Sequence, residues 1–139
     1  MTDAEKIYSL ETACFSDPWS ITAVENQLKS ESCIYIITEE NGIPCGYALG
    51  SIICGEAELY RIAVSDKFRR RGLGEKLLSR FTEKCTEREG EKIFLEVRSR
   101  NIPAITLYKK AGFEEISVRK GYYGDDDAVI FAKIISENC

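Results

Sequence analysis

Apolar residues recur along this chain in two rhythms, helical spacings of three to four residues and short β-rich runs. Ile7, Leu10 and Cys14 predict a short helix over residues 4–14. The segment Phe15-Ser16-Asp17-Pro18-Trp19-Ser20 ends it, because proline disfavours helical backbone in the residue before it. Ser20 is the expected N-cap of a second helix that uses Ile21, Val24 and Leu28. Residues 33–38 are β-rich, Asn41-Gly42 is a strong hairpin-turn signal, and residues 47–53 form the returning strand. A turn near Cys54-Gly55 leads into a third strand that ends at Val64. Leu73, Leu77, Leu78, Phe81 and Cys85 then mark a long helix, with Gly90 as its stop. Residues 92–97 read as a buried strand. Asn101-Ile102-Pro103 opens a short helix through Ile105, Leu107 and Tyr108, closed by Gly112, and residues 113–119 and 128–135 are the last strands. The order ααβββαβαββ, free of repeats and linkers, predicts one mixed α/β (α+β) domain over residues 1–139, a sheet covered by helices.

Composition narrows the chemistry. A net charge of −4 argues against a general nucleic-acid binder, whose footprint is basic. No apolar run approaches the roughly 18 residues that span a bilayer. The N-terminus also lacks the apolar core of a signal peptide, so no membrane is expected and the location is cytoplasmic. The six cysteines (Cys14, Cys33, Cys45, Cys54, Cys85 and Cys139) show no C-x₂-C spacing and mostly fall in apolar patterns, which suits free thiols in a reducing compartment. Histidine is absent. That removes serine–histidine and cysteine–histidine nucleophiles and histidine-containing zinc sites, and no metal is expected. An acid–base enzyme built from this chain must draw its base from a carboxylate, tyrosine, lysine, thiolate or bound water.

The chain is organised around residues 58–75, where an apolar strand breaks at Ser65-Asp66 and resumes as Arg69-Arg70-Arg71-Gly72-Leu73-Gly74-Glu75 at the front of the long helix. The first N–H groups of a helix lack internal partners and carry partial positive charge, so this junction suits an anion. Glycine lets a phosphate approach the backbone, and arginines add charge-assisted hydrogen bonds. The alternative is a solvated basic turn. Glu96 interrupts the apolar strand and shares a face with Phe94. It is either a desolvated general base, an ion-pair partner of Arg98 or Arg61, or a residue on an exposed face. Tyr108 is either a core aromatic or a proton donor, and Asn101 is ordinarily a helix cap. Tyr122-Tyr123 and Asp125 to Asp127 form a polar hairpin loop or line a cleft that attracts a cationic substrate.

Taken together these residues resemble the GNAT superfamily of N-acetyltransferases, and more narrowly the ribosomal-protein-alanine N-acetyltransferase family. The superfamily pattern Arg/Gln-x-x-Gly-x-Gly/Ala appears as residues 69–74. Around it stand Asp17-Pro18-Trp19-Ser20, Ile62-Ala63-Val64, Leu95-Glu96-Val97-Arg98, Asn101, Leu107-Tyr108, Gly112-Phe113 and Arg119 with Tyr122-Tyr123, in the family's order over nearly the whole chain. The resemblance implies a GNAT fold with a central, mostly antiparallel sheet flanked by helices, here without the strand that usually comes first. It implies acetyl-CoA as co-substrate, its pantetheine arm along Ile62, Ala63 and Val64, its pyrophosphate on Arg70 to Glu75 with Arg69 also among the cofactor-binding residues, and a contact from Asn101. Glu96 matches the family's proton acceptor and Tyr108 its proton donor, with both expected on one side of the sheet. Trp19, Tyr122 and Tyr123 are the acceptor-binding candidates. The implied reaction moves an acetyl group to the α-amine of a protein N-terminus, an alanine-starting small-subunit ribosomal protein, by direct attack. The acidic loop suits a basic acceptor peptide. Acetylation of a small amine or lysine, and a non-catalytic CoA-binding regulatory module, are the competing readings.

Overall fold

The computed structural model describes residues 1–136, so Cys139 lies outside the described residues. The elements follow the predicted order: α1 (Asp3–Cys14), α2 (Ile21–Lys29), β1 (Cys33–Glu40), β2 (Ile43–Ile53), β3 (Glu56–Val64), α3 (Leu73–Glu87), β4 (Lys92–Arg98), α4 (Ile102–Lys110), β5 (Glu114–Arg119) and β6 (Ala128–Ile134), with one 3₁₀ turn at Asp66–Phe68. The six strands form one sheet in the order β1-β2-β3-β4-β6-β5, antiparallel at every pair but β3–β4. Among the described residues no strand precedes α1.

Local chemistry explains most boundaries. Thr2 and Glu5 form a capping box at the start of α1, and the Ser20 hydroxyl accepts the Ala23 N–H at 3.1 Å. Asn41 and Gly42 both take positive φ (54° and 78°), the backbone of a two-residue hairpin turn. Gly90 differs from the expectation. The left-handed residue after α3 is Glu89 (φ 62°), and Gly90 is needed for closeness instead: a Cβ there would stand 2.7 Å from the Cys85 carbonyl. Phe113 falls just before β5 and is buried beneath it.

Helices cover both faces of the sheet, but unequally. One face carries α3 and α4 over a core that includes Leu59, Leu77, Leu78, Phe81, Ile93, Leu95, Val97, Tyr108 and Phe131. The other carries α1 and α2, with Ile7, Leu10 and Val24 against Tyr47, Leu49 and Ala63. Those two helices pack chiefly on β1, β2 and β3. The same face of β4 is therefore left open, and the strand expected to be buried is buried on one side. Ile93, Leu95 and Val97 point into the core, Phe94 is half-buried and Glu96 is exposed. No helix of the described residues is long and apolar enough to cross a membrane.

Candidate functional site

The junction before α3 is an array of free donors. Arg70 and Gly72 both adopt left-handed backbone (φ 64° and 77°), the kind of curl that can form an anion-binding nest of successive N–H groups. Gly72 is the N-cap of α3 and offers no side chain to cap it. Among the described residues, the amides of residues 70–75 meet no acceptor. A Cβ on Gly72 would meet nothing within 4 Å, so the space beside this N-cap is open. Gly74 sits against Leu107 of α4, where an added Cβ would lie 3.5 Å from its nearest atom. The three arginines diverge. Arg69 donates through Nε to the Val64 carbonyl at 2.9 Å and pairs with Asp66 at 2.6 Å. Arg71 pairs with Glu40 at 3.1 Å. Arg70 has no partner among the described residues and is a cation available to a ligand.

The second element of the site is a break in the sheet. The β3–β4 ladder runs from Glu56/Lys92 to Leu59/Leu95 and stops. Beyond it β3 stays with β2, where Ile62, Ala63 and Val64 oppose Ala48, Tyr47 and Gly46. Beyond it β4 stays with β6, where Glu96 opposes Ile130. The two strands diverge, and the β4-facing edge of residues 60–64 has no ladder partner. A strand edge with unpaired N–H and C=O groups is a template for an extended, amide-bearing ligand.

On the face that α1 and α2 leave open, the break widens into a cleft of about 720 Å³. Trp19, Tyr60, Arg61, Phe94, Glu96, Arg119, Tyr122 and Tyr123 are among its lining residues. The structure therefore brings together Glu96 and all three acceptor-binding candidates. The Glu96 side chain keeps 32% of its surface, lies 3.8 Å from the Arg119 guanidinium, and accepts a long hydrogen bond of 3.5 Å from the Tyr123 hydroxyl. Burial, and then the Glu96 charge beside it, push the Tyr123 phenol above its ordinary value, which keeps it a donor. The Arg98 guanidinium lies over the Tyr123 ring at 4.1 Å and Arg119 over Tyr122 at 5.5 Å.

Two expectations about these residues need correcting. Glu96 is not a buried carboxylate among apolar neighbours, because no helix covers its face. Nor does it share a side of the sheet with Tyr108. Tyr108 packs from α4 into the opposite core, 6.0 Å between ring centroids from Phe113 and 6.3 Å from Phe131. It is 6% exposed, and burial pushes its phenol up to about 12. Its hydroxyl makes no hydrogen bond to any described residue. Asn101 is the N-cap of α4, its Oδ1 accepting the Ala104 N–H at 3.3 Å.

The acidic loop is also not a free anionic patch. Asp125 pairs with Arg98 (3.3 Å) and Arg100 (3.9 Å). Asp126 is buried and accepts from the Ser99 hydroxyl and the Arg100 N–H, which hold its carboxyl below the usual carboxylate range. Asp127 accepts the Gly121 N–H at 2.8 Å. Asp125 and Asp126 fasten the loop to the end of β4, and Asp127 closes the loop on itself.

Sequence reasoning missed Glu11, which is 1% exposed and bonded to the loop that carries Trp19. A signal existed. With Ile7, Leu10 and Cys14, Glu11 completes the buried stripe of α1, and a carboxylate in such a stripe calls for a partner.

Known proteins carry the same pattern. The model of the acetyltransferase (GNAT) family matches residues 4–113. The chain is 35% identical to the [ribosomal protein bS18]-alanine N-acetyltransferase of Escherichia coli K12, covering 97% of this chain and 93% of that protein. It is 31% identical to an N-alpha-acetyltransferase of Sulfurisphaera tokodaii, covering 95% and 87%. The crystal structure of the ribosomal-protein-S18-alanine N-acetyltransferase from E. coli superimposes with a TM-score of 0.91 at 32% identity, over 99% of this chain and 90% of that one.

Proposed function

Because the chain belongs to the acetyltransferase (GNAT) family and is an acetyl-CoA-dependent N-acetyltransferase, we propose that its acceptor is the α-amine of a protein N-terminus, that of an alanine-starting ribosomal protein, in the cytoplasm. The observation that carries this reading is the parting of β3 and β4 after Leu59/Leu95. It joins the free amides of residues 70–75 on one side to an aromatic cleft containing Glu96 on the other. The residues fit the co-substrate. A diphosphate finds the unsatisfied N–H groups before α3 and the unpartnered Arg70. An amide-bearing arm finds the open edge at Ile62, Ala63 and Val64.

The division of Glu96 and Tyr108 between two faces suits a sheet that is open between them. A thioester seated in the gap is reached by Glu96 from the cleft and by Tyr108 from the core. A peptide α-amine, with a pKa of about 7.7–8.0, is largely protonated at neutral pH and cannot attack while it is. Glu96 takes that proton through a bound water. The amine nitrogen then forms its bond to the acetyl carbon as the carbon–sulfur bond breaks; Tyr108, held protonated by burial, donates to the departing sulfur, and the second proton that the nitrogen sheds on becoming an amide restores the phenol. No acyl-enzyme is formed. A single acid or base is worth roughly 10²–10⁴ in rate, so holding two substrates in one gap supplies much of the remainder. The acceptor cleft is aromatic and its nearest acidic loop is neutralised, so recognition of the N-terminal residues rests on Trp19, Tyr122 and Tyr123 more than on long-range attraction.

Thiol release from acetyl-CoA, measured with N-terminal peptides, internal-lysine peptides and polyamines, tests the assignment. Alanine-starting N-terminal peptides are expected to turn over fastest. Turnover of polyamines with none of any N-terminal peptide would overturn the acceptor.

A further inference from the structure

Beside the catalytic candidates the cleft has a wall with no regular structure, residues 15–20 between α1 and α2. From it Trp19 projects to within 6.2 Å of the Tyr60 ring, centroid to centroid. We infer that Glu11 is a positioning residue for the acceptor, fixing Trp19 as one side of the cleft. This rests on the proposal that the cleft receives the acceptor.

The Glu11 carboxylate divides its two oxygens. Oε1 accepts the Trp19 backbone N–H at 2.7 Å, and Oε2 accepts the Tyr47 hydroxyl and lies 3.5 Å from Arg61 Nε. Arg61 extends the grip along the same loop. Its Nη2 donates to the Asp17 carbonyl at 3.1 Å and its guanidinium lies 4.0 Å over the Phe15 ring. A buried carboxylate and a half-buried guanidinium thus hold three loop residues against α1 and β3.

Stability alone does not call for such an arrangement. Replacing a buried ion pair with well-packed apolar side chains is often neutral or stabilising, whereas deleting one partner is costly. What a carboxylate adds here is a directional bond to the main chain of Trp19, whose amide meets no other acceptor among the described residues. The bond fixes the tryptophan's backbone, and Tyr60 fixes its ring. Tyr60 is held in turn by a 2.7 Å hydrogen bond to Ser51.

Trp19 is the only tryptophan of the chain, so its fluorescence reports on this loop alone. In Glu11→Gln, the KM for an N-terminal acceptor peptide is expected to rise about tenfold, the scale of one charge-assisted hydrogen bond. The KM for acetyl-CoA and kcat should stay within about twofold. Tryptophan emission should move to longer wavelength and become more open to acrylamide quenching. Glu11→Asp keeps the charge on a shorter arm and should shift both readings the same way by less; it also serves if the glutamine variant fails to fold. A folded variant with unchanged emission and quenching, or one in which both KM values rise together, overturns the inference. Wild-type protein that acetylates no N-terminal peptide refutes the acceptor reading instead, while the fluorescence still decides whether Glu11 holds Trp19.

Discussion

Glu96 and Tyr108 make separable demands on a mutational test. Glu96→Gln keeps the shape of the side chain and removes its capacity to take a proton. We expect kcat to fall by about 10²–10⁴ with the KM for acetyl-CoA little changed. Tyr108→Phe should lower kcat comparably. Because its hydroxyl has no hydrogen-bond partner among the described residues, the melting temperature should barely move. Steady-state thiol release together with thermal melts checks both, and wild-type rates in the two variants would remove the roles given to them. Glu96 was legible in the sequence as the one charge inside the apolar run Ile93–Val97, and Tyr108 by its place before the helix stop. Their surroundings were not. The partner of Glu96 is Arg119 rather than Arg98 or Arg61, because β6 lies between β4 and β5 and turns the end of β5 toward the same cleft. Strand order of that kind is a property of the folded sheet, invisible to spacing along one strand.

At the scale of elements, the start of α3 combines a left-handed glycine with a row of unused amides, and the two can be tested apart. Gly72→Val places a β-branched side chain at φ 77° and fills the space before the helix. Gly42→Val imposes the same strain at φ 78° in the β1–β2 hairpin, also in open space, with no helix start beside it. Each is expected to cost about 1–2 kcal/mol of stability, the price of left-handed backbone for a residue with a Cβ. Only Gly72→Val should also weaken CoA binding, by at least tenfold in titration calorimetry. Equal CoA affinity in the two variants would place the diphosphate elsewhere. The elements themselves were readable because each agrees with its own local chemistry: Ser20 as a cap, Asn41-Gly42 as a hairpin turn, Gly112 as a helix stop. The acidic loop misled because three aspartates in a row read as a charged surface. In the fold each instead satisfies a donor, two of the three bonding backbone N–H groups.

For the whole molecule, the cores on both faces of the sheet hold groups that must stay neutral. Burial pushes Tyr108 and Cys85 up to about 12, and a hydrogen bond to Asp3 followed by burial does the same for Tyr35. Burial, then the bond to Glu11, raises Tyr47 as well. In each case the folded protein holds its proton more tightly than the unfolded chain, in which tyrosine titrates near 10 and the thiol near 9. The stability these groups contribute is therefore complete below about pH 9 and is lost as pH rises toward 12. The chain has no imidazole to titrate in the neutral range. Melting temperature should accordingly be flat from about pH 6 to 8 and fall steeply above pH 9, in step with a late component of the tyrosinate absorbance, from the buried tyrosines, that develops cooperatively with unfolding. If all seven tyrosines instead ionised near pH 10 with no loss of melting temperature, the rings of Tyr47 and Tyr108 would not be sealed in the core. Tyr108 as a proton donor held protonated by the α3–α4 core would then lose its physical basis.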